Sequence, residues 1–340
     1  MSVKPFVAAA VQAAPVFLDR AASVVKACDL IADAARQGAR LIVLPETFIP
    51  TYPSWIWVLP LTRRAEWSAL HGELIANAVT VPGPETQALG AAAKAANAWV
   101  AIGINELNDT SRGSLYNTLL LFGPDGTLLS RHRKLMPTGT ERLVWTRSEV
   151  ADLRVFDTDL GRLSGLICWE NYMPLARYAL YAQGAQVHMA PTWDKSDQWL
   201  ATMRHVAREG RAYVIGCCSA VRRSDVPERY AFRELFGSEW LNTGNSLIVD
   251  PEGSVIAGPL EKQEGILLAE IDPAMASGSR WLFDAAGHYD RPDLFTFGVK
   301  EPAPAPSAPA LSPSPTRAAR PRPKARPAAR VTAARARKRG

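Results

Sequence analysis

The 340-residue chain predicts a mixed α/β fold in which helices cover β-sheets. Two observations lead to this class. Short apolar runs alternate with helical patterns from the N-terminus onward, and two hairpin-type turns interrupt that alternation. Because hairpins bring antiparallel strand pairs into a sheet, we expect mixed sheets and not a simple doubly wound parallel sheet.

The first half of the chain contains two helical patterns and the first hairpin. Gly38 ends the first helix, and Gly123-Pro124-Asp125-Gly126 forms the hairpin turn. The predicted elements are strand 7–11, helix 21–36, strand 41–44, helix 86–97, strand 99–104 and hairpin strands 117–122 and 127–131.

The second half repeats the alternation of strands and helices. Pro174 suits the first turn of a helix and Gly184 suits its end. Asp250-Pro251-Glu252-Gly253 forms the turn of the second hairpin. The predicted elements are strand 163–167, helix 174–183, strand 186–190, helix 196–209, strand 212–218, hairpin strands 245–249 and 254–257, and strand 266–271.

The net charge of +6 comes from the C-terminal end of the chain. Residues 301–340 contain ten Lys and Arg and one acid, whereas residues 1–300 contain 29 basic and 32 acidic residues. This slightly acidic body nearly excludes a basic nucleic-acid groove as the main function. Because residues 301–340 have nine Pro, twelve Ala and no aromatic residue, we expect one folded domain over 1–300 and a disordered Pro/Ala/Arg-rich basic tail over 301–340.

The four cysteines are too few for a disulfide scaffold, and they lack the spacing of a zinc site. Gln12 interrupts the N-terminal apolar run, which favours a strand over a signal peptide. No uninterrupted apolar run approaches the roughly 20 residues of a membrane span. We therefore expect a cytoplasmic protein that uses no metal or cofactor.

Three predicted strand ends carry reactive side chains. Glu46 lies in the run LIVLPETF, and Cys168 lies in LSGLICWEN. Lys134 lies in SRHRKLMPTGTER, with Glu141 seven residues later. Active sites of α/β proteins gather at strand ends, because the sheet fixes the backbone while loops leave the side chain reachable. We expect these side chains to form one site.

A thiol, a carboxylate and an ammonium group together can hydrolyse an electrophilic carbon bound to nitrogen. Cys168 is the candidate nucleophile, with its pKa lowered by the following helix or a nearby cation. Glu46 can accept the thiol proton and activate water, while Lys134 and the backbone N–H of Trp169 can stabilise negative charge. Taken singly, each residue also has a structural explanation: a core cysteine, a carboxylate at a helix start and a solvated lysine.

The segments LPETF, HRKLMPT and CWEN, in this order, resemble the nitrilase superfamily of carbon–nitrogen hydrolases. Across about residues 5–295, the resemblance implies a four-layer α-β-β-α sandwich. It also implies a triad with Glu46 as general base, Lys134 as electrostatic stabiliser and Cys168 as nucleophile. Glu141 matches a second glutamate near the nucleophile in this family; the alternative is a surface carboxylate paired with Arg142.

CWEN, together with the later APTWD and MRHVAREGRAYVIG, resembles the nitrilase branch more than the amidases. This branch implies hydrolysis of a nitrile to a carboxylic acid and ammonia through a Cys168 thioimidate and acyl-thioester, with some amide by-product. An amidase or a cyanide-degrading member of the superfamily remains an alternative. A catalytically silent scaffold that binds nucleic acid through the tail is another.

Four residues next to the catalytic positions are candidates for substrate binding: Trp169, Tyr52, Thr192 and Trp193. Core positions explain Tyr52 and Trp193 equally well. The resemblance further implies a homodimer that extends to a higher homo-oligomer or spiral, with residues 222–240 as an interface insertion, a pocket-side loop or a solvated loop. Besides a small nitrile we expect no membrane partner, and nucleic acid only non-specifically through the tail.

Overall fold

The computed structural model describes residues 3–148 and 152–300, and these residues form two β-sheets with helices on their outer faces. The predicted tail, residues 301–340, lies outside the described residues. In chain order, the strands are β1 (Phe6–Gln12), β2 (Ala39–Val43), β3 (Trp99–Leu107), β4 (Leu115–Phe122), β5 (Leu128–Arg133), β6 (Phe156–Thr158), β7 (Gly161–Gly165), β8 (Val187–Thr192), β9 (Tyr213–Cys218), β10 (Ala220–Arg222), β11 (Trp240–Val249), β12 (Val255–Glu261) and β13 (Gly265–Ile271).

The helices cover the outer faces of the sheets and fill several connections. The α-helices are α1 (Arg20–Arg36), α2 (Arg64–Ala76), α3 (Pro84–Ala96), α4 (Pro174–Tyr181), α5 (Asp197–Gly210) and α6 (Pro273–Ser279). Short 3₁₀ helices span Ser54–Trp57, Gly139–Leu143, Cys168–Tyr172, Arg223–Asp225 and Ala231–Phe236.

Every strand and helix predicted from the sequence is present, with ends that differ by a few residues. The prediction missed α2, α6, β6, β10 and the 3₁₀ helices. Helix α2 buries only Leu70 and Leu74, so its sequence lacks the wide apolar stripe that marks a helix against a core. The other missed elements are seven residues or shorter and carry too little periodicity to detect.

The two sheets are mixed, as predicted. Sheet 1 has the strand order β13-β1-β2-β3-β4-β5, and sheet 2 has the order β10-β11-β9-β8-β7-β6 with β12 beside β11. Strands β1, β2 and β3 run parallel in sheet 1, and β7, β8 and β9 run parallel in sheet 2. The hairpins contribute the antiparallel pairs β4–β5 and β11–β12.

Apolar side chains from both sheets form the central layer of the core. Leu41 and Leu119 of sheet 1 belong to the same buried cluster as Leu163, Met189 and Ile215 of sheet 2. Such face-to-face packing buries one face of each sheet and leaves the other face to be covered by helices.

The outer faces of the sheets are covered by separate helices. On sheet 1, Ile31 of α1 and Leu89 of α3 pack with the strands, and on sheet 2 Met203 and Val206 of α5 do so. The resulting layers follow the order helix, sheet, sheet, helix, which confirms the expected four-layer arrangement. Among the described helices, none is both long and apolar enough to cross a membrane.

We predict that the layer between the sheets carries much of the stability. Leu41→Ala removes a fully buried side chain from this layer and should lower the free energy of unfolding by about 2–5 kcal/mol. The control Leu61→Ala changes a side chain that is 62% exposed, and its effect should stay below about 0.5 kcal/mol. Urea denaturation followed by circular dichroism measures both. Equal losses in the two variants would contradict this assignment of the core.

Candidate active site

The turn after β2 places Glu46 against β3 of sheet 1. The backbone N–H of Gly103 on β3 donates to the carbonyl of Pro45 at 3.1 Å. A Cβ atom at residue 103 would lie 2.5 Å from that carbonyl oxygen and 2.3 Å from the backbone nitrogen of Thr47. Glycine at this position therefore allows the turn to approach the strand and bury Glu46.

Lys134 directly follows β5, and its ammonium group joins two carboxylates. Its Nζ donates to Oε1 of Glu46 and to Oε2 of Glu141, each at 2.8 Å. The side chain is 1% exposed. Burial by itself would lower the pKa of Lys134, but Glu46 and Glu141 raise it well above its usual value. The ammonium form is therefore the stable one at neutral pH.

Glu141 lies on the 3₁₀ helix Gly139–Leu143 and is fully enclosed. Its Oε1 accepts a hydrogen bond from the hydroxyl of Tyr52 at 2.8 Å, and its Oε2 accepts one from the backbone N–H of Thr138 at 2.7 Å. The indole of Trp57 in turn donates to the Tyr52 hydroxyl at 3.1 Å. These contacts exclude the alternative of a surface carboxylate paired with Arg142.

Cys168 begins the 3₁₀ helix that follows β7, in a backbone conformation that is rare for its residue type. Its φ is +51°, in the left-handed region that favours glycine. The amide of Asn171 donates to the carbonyl of Cys168 at 2.9 Å and to that of Leu166 at 3.0 Å. The hydroxyl of Thr192 donates to Sγ of Cys168 at 3.1 Å. Several contacts thus hold a strained turn that presents the thiol.

The structure contradicts the expectation that the pKa of Cys168 is lowered. Burial raises the pKa of this thiol, Glu46 raises it further, and the lowering effects of Lys134 and Thr192 do not compensate. The 3₁₀ helix Cys168–Tyr172 separates Cys168 from the N-terminus of α4, the helix that was expected to lower this pKa. The thiol is therefore protonated at neutral pH, and it needs a base in order to react as a nucleophile.

Among the charged groups around Cys168, Glu46 has the largest effect on the pKa of the thiol. Its Oε1 accepts from Lys134 and, at 2.7 Å, from the Asn117 amide. Its Oε2 is buried and has no hydrogen-bond partner among the described residues. Burial and the nearby Glu141 charge raise the pKa of Glu46 despite Lys134, and a carboxylate with a raised pKa is a better proton acceptor.

A cavity of about 490 Å³ opens above Cys168 and Glu141 and has mainly aromatic and aliphatic walls. The rings of Tyr52 and Trp193 stack in it, with centroids 4.4 Å apart and planes inclined by 3°. The walls include Tyr52, Trp57, Trp169, Trp193, Phe236 and Leu241. Such a cavity suits an apolar group joined to a small polar reacting group.

The predicted substrate-binding residues do not all face this cavity. Tyr52, Trp169 and Trp193 line it, whereas Thr192 is buried and contacts the sulfur of Cys168. In residues 222–240, Phe232 packs in a buried aromatic cluster and Phe236 lines the cavity. This segment therefore matches the pocket-side alternative more than the solvated-loop one.

The family model described as carbon–nitrogen hydrolase matches residues 7–280. The chain belongs to the carbon–nitrogen hydrolase family. It is 43% identical to an aliphatic nitrilase of Sinorhizobium fredii over 87% of this chain and 96% of that protein. It is 38% identical to a bifunctional nitrilase/nitrile hydratase of Nicotiana tabacum over 87% of this chain and 86% of the relative. The resemblance seen in the sequence motifs is thereby confirmed, including the nitrilase branch.

Solved structures of the same superfamily share the fold of this hydrolase. A Saccharomyces cerevisiae member of branch 10 of the nitrilase superfamily superposes with a TM-score of 0.65 at 22% identity, covering 85% of this chain and 97% of that one. A Nesterenkonia amidase superposes with a TM-score of 0.61 at 20% identity, covering 81% and 93%. At these identities the likeness concerns the fold alone.

Sequence reasoning missed three residues of the hydrolase site: Asn117, Trp57 and Phe236. Asn117 could have been noticed, since it is a polar residue inside the apolar run LYNTLLLF of β4. No local signal distinguishes Trp57 or Phe236 from other aromatic residues. Among the described residues, no group of three or more His, Cys, Asp or Glu is arranged to hold a metal ion.

We predict that Thr192 assists ionisation of the Cys168 thiol. Thr192→Val keeps the side-chain shape but removes the hydroxyl that donates to Sγ, so the thiol pKa should rise further. Alkylation of Cys168 by iodoacetamide at a fixed pH should slow by about tenfold, as for loss of one hydrogen bond to a charged group. The control Thr127→Val removes a hydroxyl from the exposed turn between β4 and β5, and it should leave the rate unchanged. An unaltered rate in Thr192→Val would contradict the prediction.

Proposed function

We propose that this hydrolase is a nitrilase that converts an organic nitrile to its carboxylic acid and ammonia. The observation that carries the proposal is the bridging of Glu46 and Glu141 by Lys134, at 2.8 Å each, in a cluster whose charges act on the Cys168 thiol. Cys168 thus lies within the electrostatic reach of a buried carboxylate and a buried ammonium group, and it lines a cavity with six aromatic or aliphatic side chains. The nitrilases among the curated relatives support the same reaction.

The first step is addition of the thiol to the nitrile. Glu46 takes the proton from Cys168, and Sγ attacks the nitrile carbon. The nitrile nitrogen receives a proton from Glu46, which leaves a thioimidate on Cys168 and restores the carboxylate. The Lys134 ammonium and the backbone N–H of Trp169 stabilise negative charge that develops during the attack.

Two water molecules then complete the hydrolysis. The first gives a proton to Glu46 as its oxygen adds to the thioimidate carbon, and Glu46 passes this proton to the nitrogen. The nitrogen takes a second proton from the hydroxyl of the adduct and leaves as ammonia, which gives an acyl-thioester. The second water attacks the thioester, so the acid departs and the thiol is restored. If the first tetrahedral adduct expels Cys168 in place of ammonia, an amide is released, and we propose amide as a minor product.

The shape of the cavity favours organic nitriles over cyanide. A volume of about 490 Å³ with aromatic walls far exceeds what a diatomic ion occupies. An apolar substituent would displace water from these walls and place its nitrile carbon near Cys168. Planar or aliphatic apolar groups both meet this requirement.

Ammonia release from a panel of substrates tests the reaction class. We expect aliphatic, aromatic or arylacetic nitriles to be hydrolysed, and the matching amides and cyanide to react far more slowly. The panel is compared at equal enzyme and substrate concentrations. If amides are turned over and every nitrile is inert, the protein is an amidase and not a nitrilase. If cyanide alone is turned over, the protein is a cyanide-degrading enzyme.

The nucleophile is tested by Cys168→Ala. This variant should lose nitrile turnover while keeping the thermal midpoint of the wild type, since it removes a single sulfur atom. Cys28→Ala is the matched control, because this half-buried thiol on α1 lies outside the cavity and should be dispensable. Turnover that survives in Cys168→Ala would exclude the mechanism.

The basic tail provides a test against the scaffold alternative. Deleting residues 301–340 should leave nitrile hydrolysis unchanged, because the residues of the candidate site all lie within 46–241. Non-specific retention on nucleic acid, if present in the full chain, should disappear with the tail's net charge of +9. Loss of hydrolysis on deletion would show that the tail contributes to the active assembly.

We further propose a homo-oligomer. Large apolar side chains are exposed on α4 and after α6, among them Leu175, Trp281 and Phe295. Contacts between copies of the chain would remove such groups from water.

A further inference from the structure

Glu170 is a buried carboxylate that the three hydrolytic steps do not use. It lies two residues after Cys168 on the 3₁₀ helix Cys168–Tyr172, and it is 1% exposed. A buried carboxylate is costly unless donors surround it. The hydrogen-bond donors that surround the Glu170 carboxylate therefore indicate which parts of the site it holds together.

Two of those donors are backbone N–H groups of the residues next to Lys134 and Cys168. Oε1 of Glu170 accepts from the backbone N–H of Leu135, the residue after Lys134. Oε2 accepts from the backbone N–H of Ile167, the residue before Cys168. One carboxylate thus links the backbone beside the ammonium to the backbone beside the thiol.

The third donor is His132 of β5, two residues before Lys134. Its Nε2 lies 2.9 Å from Oε2 of Glu170, and its Nδ1 lies 3.2 Å from the backbone carbonyl of Asp152. A carbonyl oxygen can only accept, so Nδ1 carries a hydrogen, and Nε2 must also carry one to face a carboxylate. The geometry therefore fits an imidazolium that faces an ionised carboxylate.

The charges of this pair stabilise each other. Burial alone would lower the pKa of His132, but Glu170 raises it. Burial alone would raise the pKa of Glu170, but His132 and the two backbone N–H groups lower it. A full ion pair is consistent with both shifts and with the hydrogen-bond geometry.

We propose that Glu170 and His132 form a positioning pair that holds the Lys134 loop and the Cys168 turn in register. The pair touches neither the cavity nor the reacting atoms, and it acts through the backbone on each side of the site. The left-handed conformation of Cys168 needs such external support. As far as nitrile turnover is concerned, the inference rests on the proposed function.

Glu170→Gln tests the pair. The glutamine amide offers one acceptor oxygen where the carboxylate has two, so at least one of its three donors loses its partner. We expect kcat for the best nitrile to fall by about 10- to 100-fold while KM stays unchanged, because orientation is lost and the cavity is not. Alkylation of Cys168 by iodoacetamide, read from the mass of its peptide, should slow in parallel.

Glu264→Gln is the matched control. Glu264 also accepts from a backbone N–H, that of Ala14 at 2.7 Å, and from a cation, Lys26 at 2.9 Å, but it lies outside the cavity. Both rates should match the wild type in this variant. Equal losses of kcat and of the alkylation rate in the two variants would overturn the proposal. A wild-type kcat and alkylation rate in Glu170→Gln would also overturn it, and so would a change in this variant that is confined to KM.

His132→Gln covers the case in which Glu170→Gln does not fold. It keeps the carboxylate and its two backbone bonds but removes the positive charge, so a smaller fall in both rates is expected, and unchanged rates overturn the proposal. If both variants fail to fold while Glu264→Gln folds, the pair serves folding and the proposal is wrong. If the wild type hydrolyses no nitrile, the proposed function fails, and the alkylation rates still decide the role of the pair.

Discussion

Lys134 carries a positive charge into the interior of the protein, where its side chain is 1% exposed. The penalty for burying a lone ammonium is several kcal/mol, and the two carboxylates at 2.8 Å offset it. Each carboxylate comes from a different segment: Glu46 from the turn after β2 and Glu141 from a 3₁₀ helix after β5. The ammonium therefore ties these segments together, and either carboxylate without it would be an uncompensated buried charge.

Two carboxylates and one ammonium leave an excess negative charge next to Cys168. This excess, added to burial, explains why the pKa values of Cys168 and Glu46 are both raised. A thiol that keeps its proton until a substrate arrives, beside a carboxylate that readily accepts it, is suited to proton transfer coupled to attack. The same carboxylate can return the proton to the substrate nitrogen.

The sheets make this arrangement possible by fixing where the turns begin. The turns that carry Glu46 and Cys168 each contain a non-glycine residue in the left-handed region: Thr47 at φ +45° and Cys168 at φ +51°. Close contact with Gly103 supports the first turn, and Glu170, Asn171 and Thr192 support the second. The neighbouring strand β3 thus holds the first turn, whereas residues of the turn itself and the neighbouring strand β8 hold the second.

Local patterns in the sequence predict every strand except β6 and β10, the helices α1, α3, α4 and α5, and the three strand ends that carry Glu46, Lys134 and Cys168. These features depend on local periodicity, turn residues and short motifs, which neighbouring residues encode. Tertiary structure alone decided the raised pKa of Cys168, the place of Thr192 behind the sulfur and the contacts of Glu170. Burial and charge depend on residues that are distant in the sequence, as Lys134 and Glu46 are by 88 positions, and no local pattern specifies which of them meet.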